Sequence, residues 1–305
     1  MNIDTQIATN PREMILRPRF IPQFYAQRDT VRQRPLMNNC WRSDKLLLMN
    51  VIACQFDIVW TDKVANHAKI ANLLKEANPA AGSVVVLPEM FATGFSMNVA
   101  DVTDDADQLT QTFLRDLAKR YGIHIIAGIV TGSDKGRNEA VVIDPTGAEA
   151  GRYCKLFPFS PMQEDVHYSS GDDVITVSIN GVSVAPFVCY DLRFPEIFRV
   201  AARRGAELMV VIANFPSPRE RHWVSLLVAR AIENQAFVVG VNRCGCDPNL
   251  EFPGHSMIIG PQGEILAEAA SDEGVIEADL DFESLRDYRQ RFPVLNDIRD
   301  DFLSK

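Results

Sequence analysis

The stretch VSVAPFVCYDLRFPE, residues 182–196, decides how this 305-residue chain folds. The apolar run from Val182 to Val188 is typical of a buried strand, and a helix-like segment follows the stretch. Cys189 is therefore predicted to lie at a strand-to-helix turn. We expect the positive end of the helix dipole and its free backbone N–H groups to favour the thiolate, the form that attacks a carbonyl carbon. Cys189 is the candidate nucleophile.

Strand and helix patterns alternate around this stretch, beginning at Met49. Hairpins interrupt the alternation, with turns at 144–147, at Asn180-Gly181 and at 261–264. Mixed βα units with inserted hairpins favour an α/β sandwich over a purely doubly wound sheet. No linker rich in Pro, Gly or Ser divides residues 49–290, which predicts one catalytic domain. The predicted strands are 51–56, 83–87, 123–130, 140–143, 149–154, 208–212 and 237–241, and the predicted helices are 65–77, 107–121 and 220–234.

The two ends of the chain differ from this pattern. Residues 1–48 contain eight Lys and Arg against four Asp and Glu, several prolines and no sustained apolar period, which predicts a flexible basic extension. They lack the apolar region of a signal peptide, and their acidic residues fit an Arg-rich transit peptide poorly. Met49 is an alternative biological start, because the first strand opens there. Residues 291–305 are predicted to form a C-terminal tail.

Composition narrows the class of function. The net charge of −9 argues against nucleic acid as a partner, since nucleic-acid binding needs a basic surface. No apolar run approaches the roughly 20 residues of a membrane helix. Six scattered cysteines do not form a disulfide framework and favour reduced thiols and a cytoplasmic location. The pair Cys244 and Cys246 lacks zinc-ligand spacing, so no metal site is predicted.

Two charged residues follow predicted strands. Glu89 lies just after strand 83–87, where α/β proteins form ligand sites, and apolar neighbours are expected to raise its basicity as a general base requires. Its alternative role is a helix cap or an ion pair. Lys155 follows strand 149–154, where an ammonium suits stabilisation of an oxyanion and lowering of a thiol pKa. Its alternative is a solvated surface lysine.

Glu89 in LPEMF, Lys155 in YCK and Cys189 in VCYDLRFPE resemble, in order and approximate separation, the Glu-Lys-Cys triad of the carbon–nitrogen hydrolase (nitrilase) superfamily. The resemblance runs from about residue 49 to about residue 285. It implies a four-layer α-β-β-α sandwich of the nitrilase type that commonly forms homodimers or higher homo-oligomers.

Within the superfamily, the chain is most similar to the omega-amidase group, which hydrolyses short 2-oxo acid amides such as 2-oxoglutaramate. CYDL in place of the CWEN-like surroundings of true nitrilases favours amide over nitrile hydrolysis. The runs that carry the similarity are LPEMFATGFS at 87–96, CYDLRFPE at 189–196, His222-Trp223 and ARAIENQ at 229–235.

The resemblance also implies roles for residues. Glu89 takes the thiol proton while Cys189 attacks the amide carbon, passes the proton to ammonia, and then activates the water that hydrolyses the thioester. Lys155 and the backbone N–H of Tyr190 stabilise the oxyanion, and no metal or organic cofactor takes part. Glu164 matches the superfamily's additional glutamate, which orients the lysine and the substrate. The loop KLFPF departs from the common KxHLF form, so the alternative for Glu164 is a surface position.

Substrate-binding residues are predicted around Cys189. Arg193 has the spacing at which related carbamoyl amidases bind a carboxylate, and a guanidinium can do so bidentately. A salt bridge to Asp191 or Glu196 is the alternative. Aromatic side chains that are candidates for the pocket wall are Phe91, Phe95, Phe194 and Phe215.

The sequence therefore predicts a cysteine-dependent amidase that acts on a small carboxylated substrate, specifically a 2-oxo acid omega-amide. An N-carbamoyl amine or amino acid amidohydrolase is the first alternative. A catalytically silent binding protein is the second, and the presence of Glu89, Lys155 and Cys189 together argues against it.

Overall fold

The computed structural model describes residues 47–104, 108–299 and 301. Most of the predicted basic extension therefore lies outside the described residues, as does part of the predicted tail. The strands are β1 (Leu48–Gln55), β2 (Val84–Val86), β3 (His124–Thr131), β4 (Arg137–Ile143), β5 (Glu149–Cys154), β6 (Val177–Ile179), β7 (Val182–Val188), β8 (Leu208–Ala213), β9 (Phe237–Asn242), β10 (Cys244–Cys246), β11 (Glu251–Pro253), β12 (Met257–Ile259), β13 (Ile265–Glu268) and β14 (Gly274–Asp281). The α-helices are α1 (Lys63–Ala77), α2 (Val99–Val102), α3 (Leu109–Tyr121), α4 (Glu164–His167), α5 (Pro195–Arg203), α6 (Glu220–Asn234) and α7 (Phe282–Arg291).

The first sheet has six strands in the order β14-β1-β2-β3-β4-β5. Its central strands β1, β2 and β3 run parallel, and their runs of Val and Ile suit strands that are buried on both faces. Helices α1 and α3 cover the outer face. There Ile70 and Leu74 of α1 and Leu114 of α3 form one buried apolar cluster with Ile52 of β1.

The second sheet also has six strands, in the order β13-β12-β9-β8-β7-β6, with β7, β8 and β9 parallel. Helices α5 and α6 cover it on the side away from the first sheet. One continuous core joins the two sheets and these helices, and it includes Val51, Val84, Val184, Val210 and Leu227. The layers are thus helix, sheet, sheet and helix, which confirms the predicted four-layer α/β sandwich.

Two elements at the end of the domain were not predicted. Strand β14 pairs antiparallel with β1 along its whole length, from Gly274 opposite Gln55 to Asp281 opposite Leu48. Its acidic residues obscure the apolar pattern by which a strand is predicted, because an edge strand with one solvent-exposed face needs few apolar side chains. Helix α7 follows immediately, and the Asp281 carboxylate caps it by accepting the Ser284 N–H at 3.0 Å.

Strand ends position the candidate site. Strands β2 and β5 of the first sheet end at one edge, and β7 and β8 of the second sheet end beside it, so the residues that follow them meet between the sheets. These residues are Glu89, Lys155, Cys189 and Asn214.

The loop that carries Glu89 crosses β3 closely at Gly128. A Cβ atom at this position would lie 2.5 Å from the Glu89 Cα and 2.5 Å from the Met90 nitrogen, so only glycine leaves room for the loop. Met90 itself has a positive φ of 44°. Within the described residues, no helix is both long enough and apolar enough to cross a membrane.

Candidate active site

Three charged side chains meet in the interior of the sandwich. Glu89 and Glu164 are 0% exposed and Lys155 is 1% exposed. The Lys155 Nζ lies 3.0 Å from Glu89 Oε1 and 2.8 Å from Glu164 Oε2. Because a buried charge is expensive unless it is paired and hydrogen-bonded, two carboxylates around one ammonium make this cluster the candidate active site.

Two asparagines fix the Glu89 carboxylate. The Asn138 Nδ2 donates to Glu89 Oε1 at 2.7 Å and to Glu164 Oε1 at 2.9 Å. At the other oxygen, Oε2, the Asn214 backbone N–H donates at 2.8 Å and the Asn214 Nδ2 at 3.2 Å. Both oxygens of Glu89 are therefore held in a single orientation.

The expectation that apolar surroundings raise the basicity of Glu89 was wrong. Burial does push the pKa of the Glu89 carboxyl upward, but the Lys155 charge and the hydrogen bonds from Asn138, Lys155 and Asn214 outweigh burial and hold that pKa below its ordinary value. Glu89 is ionised at neutral pH. Lys155 is its cationic counterpart, since burial alone lowers the pKa of Lys155 while Glu164, Glu89 and Cys189 raise it well above the ordinary value.

Cys189 occupies the predicted strand-to-helix turn, with a positive φ of 49°. Its Sγ lies 3.8 Å from the Asn214 carbonyl oxygen and within hydrogen-bonding reach of the Glu89 carboxylate. Burial, followed by the negative charge of Glu89, raises the pKa of the thiol well above its ordinary value, while Lys155 acts in the opposite direction.

The prediction that the helix end favours a thiolate at Cys189 was therefore wrong, and the local fold explains why. Residues Cys189–Arg193 form a short 3-10 helix, and α5 begins only at Pro195. The favourable field of a helix end falls off within its first turn, so α5 does not offset burial of the thiol. The resting pair is a thiol beside a carboxylate base.

Glu164 is the first residue of α4, and its full burial rules out the alternative of a surface position. In addition to Lys155 and Asn138, the Phe159 backbone N–H donates to Glu164 Oε2. The KLFPF loop thus folds back onto the glutamate that the family resemblance singled out. Phe95 completes the surroundings of the lysine, with its ring centroid 5.2 Å from the Lys155 Nζ.

A small cavity, open to solvent on one side, borders this cluster. Two of the four predicted wall aromatics do not line it. Phe91 instead packs in the outer core under α1 and α3, and Phe194 stacks on Phe157 with ring centroids 3.8 Å apart. The predicted residues that do line the cavity are Glu89, Phe95, Cys189, Tyr190, Arg193 and Phe215.

Two arginines border the cavity without a carboxylate partner among the described residues. The alternative salt bridge of Arg193 to Asp191 or Glu196 is not formed, and its guanidinium nitrogens lie 3.3 Å from the His222 Nδ1 instead. The Arg219 guanidinium stacks over Phe159 at 5.1 Å from the ring centroid. Unneutralised guanidinium groups beside an apolar cavity suit an anionic ligand.

The sequence reasoning missed Asn138, Asn214, Arg219 and His222. A signal existed for Asn214, which directly follows the apolar run in LMVVIANF, because a buried amide needs hydrogen-bond partners. The signal for Asn138 was weaker, since Glu139 separates it from the apolar run in RNEAVVI. Arg219 gave no comparable signal, and His222 was noted only as part of the His222-Trp223 pair that carries the family similarity, not as a site residue. Within the part of the chain that the structure describes, no group of three or more His, Cys, Asp or Glu is arranged to hold a metal ion.

Comparisons with known proteins identify the family of the chain. The sequence profile of the family described as carbon-nitrogen hydrolase matches residues 50–290. The 2-oxoglutaramate amidase of Bacillus subtilis is 37% identical over 254 residues, which cover 82% of this chain and 98% of that protein. The omega-amidase YafV of Escherichia coli is 35% identical over 252 residues, covering 82% of this chain and 96% of that protein. A solved CN-hydrolase superfamily protein from Xanthomonas campestris, with an arsenic adduct in its active site, has a TM-score of 0.77 and 32% identity, covering 83% of this chain and 97% of that one.

Proposed function

Because this chain belongs to the carbon–nitrogen hydrolase family, we propose that it hydrolyses the terminal amide of a short 2-oxo acid, with 2-oxoglutaramate as the representative substrate. The observation that carries the proposal is the position of Cys189 and Glu89 on a cavity that also carries two unneutralised arginines. The similarity to proteins named 2-oxoglutaramate amidase and omega-amidase supports the same substrate class.

Acylation is the first half of the proposed reaction. Glu89 takes the thiol proton as the Cys189 Sγ forms a bond to the amide carbon, and the carbonyl oxygen becomes an oxyanion. Lys155 and the Tyr190 backbone N–H stabilise that oxyanion. Glu89 then gives its proton to the amide nitrogen, the carbon–nitrogen bond breaks, and ammonia leaves a thioester on Cys189.

Deacylation repeats these proton transfers with water. Glu89 takes a proton from water as the water oxygen bonds to the thioester carbon, and the same donors stabilise the second oxyanion. The carbon–sulfur bond then breaks, the proton returns to Cys189, and the carboxylic acid is released. Glu164 holds Lys155 in place through both halves, through its 2.8 Å contact with the ammonium.

The arginines supply the proposed specificity. Arg193 binds the substrate carboxylate remote from the amide, and Arg219 adds a second positive charge at the same cavity. His222 orients Arg193 through its contact with the guanidinium. Phe95 and Phe215 enclose the short carbon chain, and the limited cavity favours a small substrate.

Ammonia release tests the proposal. The protein is incubated separately with 2-oxoglutaramate, N-carbamoyl amino acids and simple aliphatic amides. We expect the highest kcat/KM with 2-oxoglutaramate and no turnover by Cys189→Ala, whereas the exposed thiol variant Cys246→Ala retains full activity. Preferred cleavage of the N-carbamoyl compounds would instead favour the carbamoyl amidohydrolase, and no turnover of any of these compounds would favour the silent binding protein.

The proposal includes a homodimer in the cytoplasm. Ile232 of α6 and Ile265 and Leu266 of β13 are 50%, 43% and 41% exposed, and Gly263, in the turn before β13, lies beside Ile232, so we propose that a second copy covers these side chains. Among the described residues the five cysteines are all free, which suits a reducing compartment. Light scattering on the wild type and on Ile232→Glu tests the dimer, which we expect the charge to dissociate.

A further inference from the structure

A third buried carboxylate near the site, Asp191, lies two residues after the nucleophile and has no role in the reaction above. It is fully buried and forms no ion pair within the described residues. Its Oδ2 accepts the Val188 backbone N–H at 3.0 Å and the Tyr153 hydroxyl at 2.8 Å, and its Oδ1 accepts the Phe157 backbone N–H at 3.0 Å.

These three bonds join two parts of the site that the chain keeps far apart. Val188 directly precedes Cys189, whereas Tyr153 and Phe157 flank Lys155 by two residues on either side. One carboxylate therefore connects the turn of the nucleophile to both sides of the lysine. The geometry points to Asp191 as a positioning residue that fixes Cys189 relative to Lys155, an inference that rests on the proposed roles of those two residues.

The ionised form of Asp191 is the one that accepts all three of these bonds, two of which come from backbone N–H groups that can only donate. A carboxylate accepts at both oxygens, whereas the protonated group carries an O–H that opposes one of the three donors. Burial raises the pKa of Asp191 to about 7, with the Val188 N–H, the Lys155 charge, the Tyr153 hydroxyl and the Phe157 N–H acting in the opposite direction. The positioning bonds are thus complete above neutral pH and weaken below it.

The titration of Asp191 can be distinguished from that of the groups around it. The titratable groups that face it are Tyr153, Cys154 and Lys155, at the end of β5. On the other side of the turn, Arg230 of α6 donates to the Leu192 carbonyl oxygen at 2.6 Å and is paired with Glu233. The pKa of the Glu89 carboxyl lies below its ordinary value, so Glu89 loses its charge only at a pH lower than that at which Asp191 does.

The test measures kcat and KM from pH 5.5 to 8.5 for the wild type, Asp191→Asn and Tyr153→Phe. We expect kcat of the wild type to fall as the pH drops through about 7. Asn presents one acceptor oxygen and turns its amide N–H groups toward a donor. Asp191→Asn should therefore lower kcat at pH 8 by on the order of 10- to 100-fold, as misplaced catalytic groups do, while KM stays within a few-fold of the wild-type value. The fall in kcat near pH 7 should be absent from this variant. Tyr153→Phe removes one bond to the ionised form and should move the fall in kcat to higher pH.

Asp104→Asn is the matched control. Asp104 is equally buried and accepts two backbone N–H groups at the start of α3, from Thr110 at 2.8 Å and Gln111 at 2.9 Å, but it lies outside the proposed site. This variant should lose thermal stability and keep the wild-type kcat and pH profile. The positioning role is refuted if Asp191→Asn retains kcat within about three-fold, or if Tyr153→Phe leaves the pH profile unchanged.

A second measurement separates this inference from the proposed function. If the wild type releases ammonia from no amide, the proposed function fails, and alkylation of Cys189 by iodoacetamide, followed on its peptide by mass spectrometry, then tests Asp191. We expect slower alkylation of Asp191→Asn than of the wild type at pH 8. Equal rates would overturn the positioning role, and slower alkylation without amide turnover would leave it standing while the substrate assignment falls.

Discussion

Replacement of Lys155 by Met should reverse how stability depends on pH. The substitution keeps the volume of the side chain but leaves Glu89 and Glu164 buried without a cation. Removing one partner of a buried ion pair destabilises a protein by about 3–5 kcal/mol, because it leaves charge that the interior does not solvate. At about 2–4 °C per kcal/mol for a domain of this size, the melting temperature at pH 8 should fall by roughly 6–20 °C.

The pH dependence follows from the pKa of Glu89. In the wild type that pKa is below its ordinary value, so its contribution to stability is present above about pH 4.5 and is lost as the pH falls further. Without Lys155, burial and the neighbouring carboxylate should raise one carboxyl pKa above its unfolded value. The folded variant then binds a proton that the unfolded chain does not, and its stability falls as the pH rises, by up to about 1.4 kcal/mol per pH unit.

Thermal unfolding of the wild type and Lys155→Met at pH 5 and pH 8 measures this effect. We expect the variant to lose much less stability at pH 5 than at pH 8. Lys69→Met is the control, because Lys69 pairs with Glu273 at the surface and such pairs contribute about 1 kcal/mol or less. An equal loss of stability at pH 5 and pH 8 would refute the reasoning, since it would mean that protonation of Glu89 or Glu164 does not relieve the charge left by the removal of Lys155.

Three further predictions concern residues around the cluster. Arg193→Met should raise KM for 2-oxoglutaramate by about 10- to 100-fold, the equivalent of about 1.5–3 kcal/mol for a lost charge-assisted hydrogen bond, and should leave kcat/KM for a neutral aliphatic amide unchanged in steady-state assays. Asn138→Ala should lower kcat at least 10-fold, because Glu89 and Glu164 lose a shared donor, whereas Asn234→Ala, a buried amide on α6, should not. Gly128→Ala should destabilise the fold by about 1–3 kcal/mol in urea unfolding and lower kcat by displacing Glu89, and a normal kcat would contradict the close approach of the loop.

The sequence was sufficient for the layers and for the residues of the cluster. Apolar runs such as Val182–Val188 have few alternatives to a buried strand, and Glu89 and Cys189 each follow such a run. Lys155 follows the more polar strand Glu149–Cys154, and the family resemblance was needed to select it. Strand β14 was missed because an edge strand needs only a partial apolar pattern, and its pairing with β1 joins residues more than 200 positions apart. Long-range pairing of this kind has no local signature.

The electrostatics of the site required the structure. Apolar neighbours around Glu89 suggested a raised pKa, but the charge of Lys155, together with four hydrogen bonds from Lys155, Asn138 and Asn214, outweighs burial and lowers that pKa. The number of donors that reach a carboxylate depends on side chains from several strands, and the sequence does not specify those distances. The same holds for Cys189, where the 3-10 turn separates the thiol from the start of α5.

The two shifted pKa values have a consequence for the proposed chemistry. Glu89 resists protonation and Cys189 resists ionisation, so proton transfer alone is unfavourable and only a small fraction of the free enzyme holds Cys189 as a thiolate. When the sulfur attacks an amide, however, the negative charge that leaves Glu89 reappears on the substrate oxygen. The net charge of the buried cluster is then unchanged, and Lys155, already 3.0 Å from Glu89 Oε1, is placed to stabilise the charge in either position. The thiol therefore reacts when a carbonyl group is bound, because the oxyanion that develops on the substrate carries the negative charge lost by Glu89 at a position where the site stabilises it.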